Sequence, residues 1–214
     1  MADFELSPDM HVTPSPAGAY YAVFSPEQDV TRRVLFGLMR SAATHPLDVH
    51  ALKKLTAQDA NASLELLYRM QSLNLLQGFD DVQHAPQGPL DQLLPAILKK
   101  LAGQGKALLA DGQGFYAASH GYHHETAEEL SALSADLATL HERHHQLLNR
   151  NMSLHSSAWG LIDAGGTSQV GFWPLYIGTQ RFVLVLSGVP NMNRPELVDL
   201  VWALSLRYAE GQPE

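Results

Sequence analysis

Apolar residues in the first part of the chain recur at helical spacing. Between residues 29 and 45, Val34, Leu35, Leu38 and Met39 share one helical face behind Asp29, a capping residue type. Proline pushes the residue before it out of helical geometry, so this helix is predicted to end near Thr44-His45-Pro46. A short helix over 47–55 follows. A longer one over 60–76 places Leu64, Leu67, Met70 and Leu73 on one face, with Gly78 as its stop. Residues 1–26 carry Pro8, Pro14, Pro16 and Pro26 without a clear period, which predicts a flexible or extended arm. Its Tyr20, Tyr21, Val23 and Phe24 are apolar enough to dock on a core.

The second half mixes both periods. "GPLDQLLPAILKKLAGQ" predicts an amphipathic helix over 89–102, and "KALLADGQGFYAASHGY" a hairpin turning on Asp111-Gly112-Gln113-Gly114. "HETAEELSALSADLATLHERHHQLLNRN" predicts a long helix with acidic residues in its first turn, where the helix dipole favours them. Three strands follow, "SAWGLID", "VGFWPLYIG" and "RFVLVLSGV", the first two joined by "AGGTSQ". "RPELVDLVWALSLRYA" closes the chain as a helix with Pro195 at an early position.

On the long helix, Leu130, Leu133, Leu137, Leu140, His144 and Leu147 are spaced 3-4-3-4-3, one continuous seam. Part of that seam must cover the domain's own sheet. The sequence does not say which of these leucines remain for a partner.

The order helix, two strands, helix, three strands, helix resembles the roadblock / dynein light chain family over about 86–214. "ALLADGQGFYAASHG", "AEELSALSADL" and "FVLVLSG" before the last helix carry the resemblance. It implies a five-stranded antiparallel sheet flanked by helices, assembled as a dimer in which the long helix meets its counterpart, so Leu133, Leu137, Leu140 and His144 are the candidate dimer-interface residues. It also implies a scaffold or regulator, often of small GTPases, and no enzymatic activity of its own. Residues 30–85, three helices followed by "LNLLQGFDDVQHAPQGPL", resemble a winged helix-turn-helix. The expected chain is thus mixed α/β (α+β) in class: an arm over 1–26, a helical, winged-helix-like domain over 27–85, and a roadblock-like domain over 86–214.

Charge narrows the function. The 214 residues carry a formal net charge of −8, and 107–214 hold five Lys/Arg against eleven Asp/Glu. That half is a poor partner for nucleic acid or an anionic membrane. A DNA-binding regulator is the alternative that the first domain raises. Its third helix offers Arg69 against Asp59 and Glu65, however, and the predicted wing has Asp80 and Asp81 with no cation. Arg32, Arg33, Lys53 and Lys54 sit on the two preceding helices. The chain has no cysteine, which excludes disulfides and thiolate metal sites. The start, MADFELSPDM, is not a signal peptide, and no apolar run is long enough to span a bilayer, so a cytoplasmic protein is expected.

Residues 141–145, "HERHH", form a His-Glu-x-x-His pattern, which on a helix sets two imidazoles one turn apart for zinc with a glutamate as base. A catalytic zinc needs a third protein ligand and an open position. No downstream His-x-x-Gly-x-x-His extends the pattern, so His141 and His145 are metal ligands only under the remote alternative of a zinc-dependent hydrolase. Seven of the eleven histidines fall between 120 and 155, including His120, His123, His124 and His155. They read as solvated helix ends and a loop, with an adventitious metal site or a pH-sensitive surface as the functional counterpart. Nucleophile elbows and phosphate loops are absent, and no cofactor and no catalytic residue is expected.

Overall fold

The computed structural model describes residues 4–7 and 9–208. They form seven α-helices and seven strands, and the chain divides into two compact units. The first holds residues up to 87 together with those from 193 on; the second holds Gly88–Met192.

In the first unit, strand β1 (His11–Pro14) pairs antiparallel with β2 (Leu76–Phe79). Helix α1 (Pro16–Val23) follows β1 at once. Ser15 caps it, its hydroxyl accepting from the Gly18 amide at 3.1 Å, and Pro16 opens it. The predicted arm is thus a strand and a helix over much of its length, and Ala19, Ala22 and Val23 are fully enclosed. Residues 1–3 and 8 lie outside the described residues.

Helices α2 (Val30–Leu38) and α4 (Ala60–Ser72) start where the sequence pattern puts them, while α3 (Val49–Thr56) starts two residues later than expected and α2 stops at Leu38, well short of Pro46. Asp29, Asp48 and Asp59 each accept a hydrogen bond from the backbone amide three residues on. Gly78 does not stop α4: the helix ends at Ser72, Asn74 turns with a left-handed φ of 53°, and Gly78 lies in β2. Leu73, expected on the buried face, is 66 % exposed. The small core of this unit gathers Val12, Leu47, Leu52 and Leu67, each excluding apolar surface worth about 2 kcal/mol when fully buried. The closing helix α7 (Pro195–Tyr208), read from the sequence with the second domain, packs against α1 in the first unit. Its Trp202 indole donates to the Ser41 carbonyl at 2.8 Å.

The second unit is built on a five-stranded antiparallel sheet in the order β4-β3-β7-β6-β5: β3 (Ala107–Asp111), β4 (Tyr116–His120), β5 (Trp159–Ile162), β6 (Ser168–Ile177) and β7 (Gln180–Ser187). The central strands β3 and β7 are buried almost throughout, as their unbroken apolar runs require when both faces are covered. Helix α5 (Leu90–Ala102) and the long α6 (His124–His145) both pack on β3, β4 and β7. Leu108, Ala110, Val183 and Val185 cluster with Ala127 of α6, so α6 covers the sheet face to which these alternate residues point. The β3–β4 turn closes on Asp111, whose Oδ1 accepts from the Gln113 and Phe115 amides, both at 2.9 Å; Gly114 takes the left-handed φ of 91°. A six-residue π-helical turn, Gln146–Asn151, extends α6.

Candidate interaction surface

Helix α6 buries an unexpected side. Its enclosed residues are Ala127, Ser131, Ser134, Ala138 and His141, a 4-3-4-3 seam of mostly small side chains. The two serines are tolerated there because each hydroxyl is satisfied within the helix. Ser131 donates to the Ala127 carbonyl at 2.8 Å and Ser134 to the Leu130 carbonyl at 2.7 Å.

The leucine seam is rotated away from this buried strip, and it splits. Leu130 and Leu137 are half-buried against the sheet cluster. Leu133, Leu140 and Leu147 are 40 %, 37 % and 48 % exposed, and His144 is exposed. At 100° per residue the outward set lies about 130° round the helix from the buried seam, so the leucines form a flank open to solvent.

That flank lies on the helix that packs beside the edge strand β5. His141 meets Trp159 of β5 edge-on, with ring centroids 6.3 Å apart and planes at 86°. Strand β5 pairs with β6 on one side, and no other strand among the described residues pairs with it, which leaves hydrogen-bonding groups free on its outer edge. Leu161 and Ile162 on this edge are 60 % and 68 % exposed. Leu133 and Leu140 on α6, and Leu161 and Ile162 on β5, are thus exposed apolar residues on two neighbouring elements, of the kind found at interaction sites. The sequence pattern picks out the helical part of this surface. It misses the β5 part, although "SAWGLID" has apolar residues at neighbouring positions, which a strand with one solvated face would not carry.

The remaining residues of 141–145 are held in distinct ways. His141 is enclosed, and burial lowers its pKa below the ordinary histidine value; Glu142 opposes the shift and His145 adds to it. Glu142 forms an ion pair with Arg181 of β7, whose Nη2 also donates to the Gly112 carbonyl at 3.4 Å. Tyr176 has its pKa raised mainly by burial, with Glu142 contributing and Arg181 opposing. Arg143, His144 and His145 are exposed. Of the pattern that would make a zinc site, one imidazole packs on an indole and the glutamate is paired with a guanidinium. The upstream histidines are separate: His124 bonds the Tyr116 hydroxyl at 2.7 Å and reaches Glu128 at 3.4 Å. Among the described residues no group of three or more His, Cys, Asp or Glu side chains is placed to hold a metal ion. Nor is any helix among them long and apolar enough to cross a membrane.

Comparison with solved structures finds likeness to roadblock proteins, and the matches fall on the C-terminal half of the chain. A Roadblock/LC7 domain from Streptomyces avermitilis is 12 % identical, over 53 % of this chain and 91 % of that one, with a TM-score of 0.33. Myxococcus xanthus MglB is 17 % identical over 57 % and 92 %, with a TM-score of 0.35. The gliding protein MglB from Thermus thermophilus is 17 % identical over 59 % and 95 %, with a TM-score of 0.36. No protein-family model and no curated protein matches the chain.

Proposed function

We propose that this chain is a non-enzymatic interaction protein, a scaffold or regulator, that works as a homodimer through its second unit. The observation that carries the reading is the joint exposure of Leu133 and Leu140 on α6 and of Leu161 and Ile162 on the β5 edge. A two-fold axis beside β5 would pair this edge with its own copy and lay the two helical flanks together, so that one patch serves both sides. The roadblock resemblance read from the sequence suggests what such a dimer acts on: a small GTPase. Light scattering coupled to size exclusion tests the dimer. The expected mass is twice 23.5 kDa at tens of micromolar, and Leu133→Asp with Leu140→Asp returns it to 23.5 kDa. A wild-type monomer under those conditions overturns the reading. Capture from host lysate should bring down a protein carrying guanine nucleotide, and a capture without one removes the GTPase from the proposal while leaving the dimer.

A second reading rests on the first unit, where α3 and α4 are joined by the short link 57–59 and followed by β2, an order that suits a DNA-binding regulator. The exposed side of α4 carries Glu65 and Arg69, one charge of each sign, which gives phosphate little to hold. The protein-interaction reading is therefore preferred.

A further inference from the structure

The first unit contains a cavity of about 160 Å³ that the dimer reading does not use. Its roof is the chain's own start. Residues 4–7 alternate half-buried, exposed, half-buried, exposed, so Phe4 and Leu6 sit deeper and Glu5 and Ser7 line the rim. Beneath them α4 presents Leu64, Leu67 and Tyr68, which share one helical face at the 3–4 spacing. Phe4 and Tyr68 meet with ring centroids 4.9 Å apart and planes inclined by 34°, an aromatic wall, while Leu6 also packs on the core cluster around Leu67. Asp9, a non-glycine residue with a φ of 61°, stands between this strap and β1.

We propose that this cavity is a binding site for a small apolar amine, a single ring or short aliphatic body bearing an ammonium group. Size sets the body: about 160 Å³ is room for a single ring or a short aliphatic chain. Charge sets the head. Glu5 is the charged residue of the lining. An anion meets no counter-charge there. The ring would rest among Leu6, Leu64 and Leu67, and the ammonium would face the Glu5 rim.

Benzylamine serves as the probe, with toluene and benzoate as matched neutral and anionic controls, and binding to the full chain is followed by NMR shifts of residues 4–12 and 64–71. Benzylamine is expected to saturate in about the millimolar range, as suits a ligand of so few atoms. Benzoate should leave the shifts unmoved. Glu5→Gln should weaken benzylamine by about fivefold, the size of an exposed ion pair, and leave toluene unchanged. Leu64→Trp, which fills the cavity, should abolish binding of both; if that variant does not fold, Phe4→Ala, which opens the roof, should weaken both. Absence of saturable benzylamine binding overturns the proposal. So does benzoate binding as well as benzylamine, or benzylamine binding that neither cavity variant alters. These outcomes concern the first unit and leave the dimer test independent.

Discussion

His141 and Trp159 stand edge to face across the junction of α6 and β5, with the imidazole enclosed against the indole. Burial holds the His141 pKa below its ordinary value, so the unfolded chain binds a proton there more readily than the folded one. The His141 contribution to stability is complete above the unfolded value of about 6.5 and is lost as pH falls through the lower folded value. Glu142, Arg181 and Tyr176 surround the same turn of the helix, and His145 adds positive charge when protonated. Urea midpoints measured at about pH 7.5 and about pH 5 should therefore fall on acidification. His141→Phe keeps a ring against Trp159 and should shrink that fall; an equal fall in both proteins would show that His141 does not carry it.

Close backbone approach makes a sharper prediction in the first unit. A Cβ on Gly18 would stand 1.9 Å from the Leu75 carbonyl oxygen, the same oxygen that accepts from the Ser15 amide at 3.0 Å. Neither backbone can retreat cheaply, since Ser15 caps α1 and Leu75 leads into β2. Gly18→Ala should cost about 1–3 kcal/mol and lower Tm by several degrees. An unchanged Tm would mean that the helix slides to make room.

The segments that sequence periodicity resolves are those in which apolar side chains do the packing. The Asp29 cap, the Asp111 hairpin and the runs of β3 and β7 fall where the pattern puts them. The rotation of α6 is not legible because a hydrophobicity pattern follows leucine, whereas the helix is seated by Ala127, Ser131, Ser134 and Ala138. Small residues let helix and sheet approach closely, and their serines are satisfied locally, so polarity at those positions carries no signal of exposure. At the chain start, the prolines suggest an arm. Ser15 followed by Pro16 is equally a helix-opening pair, and α1 begins there. The β5 edge escapes because strand order, and so which strand lies outermost, is a long-range property.

Nucleic-acid binding can be tested on charge alone. The chain carries −8, Arg69 is opposed by Glu65 on the exposed side of α4, and Asp80 and Asp81 are exposed after β2. No specific duplex binding is expected at about 150 mM salt, because phosphate contacts lose their counterion-release advantage there and few cations are offered. Sub-micromolar affinity for a defined duplex in a fluorescence titration would promote the DNA-binding reading.

The chain has no cysteine, so an introduced one reports its own surroundings without interference. If two copies meet edge to edge along β5, the strands run antiparallel about the two-fold axis. Residues directly opposite then lie about 4.5–5.5 Å apart between Cα atoms, within the range a disulfide can bridge. Single cysteines placed in turn at Trp159, Gly160, Leu161 and Ile162 should give one or two positions that cross-link readily under mild oxidation. The efficiency should peak at the axis and fall on either side, a pattern that random collision does not produce. Leu73, exposed in the first unit, provides the collision control as Leu73→Cys. Adding Leu133→Asp and Leu140→Asp should suppress cross-linking at the β5 position, because the helical flanks would no longer hold the edges together. If no β5 position exceeds the control, or if the aspartates leave cross-linking unchanged, α6 and β5 do not form one interface.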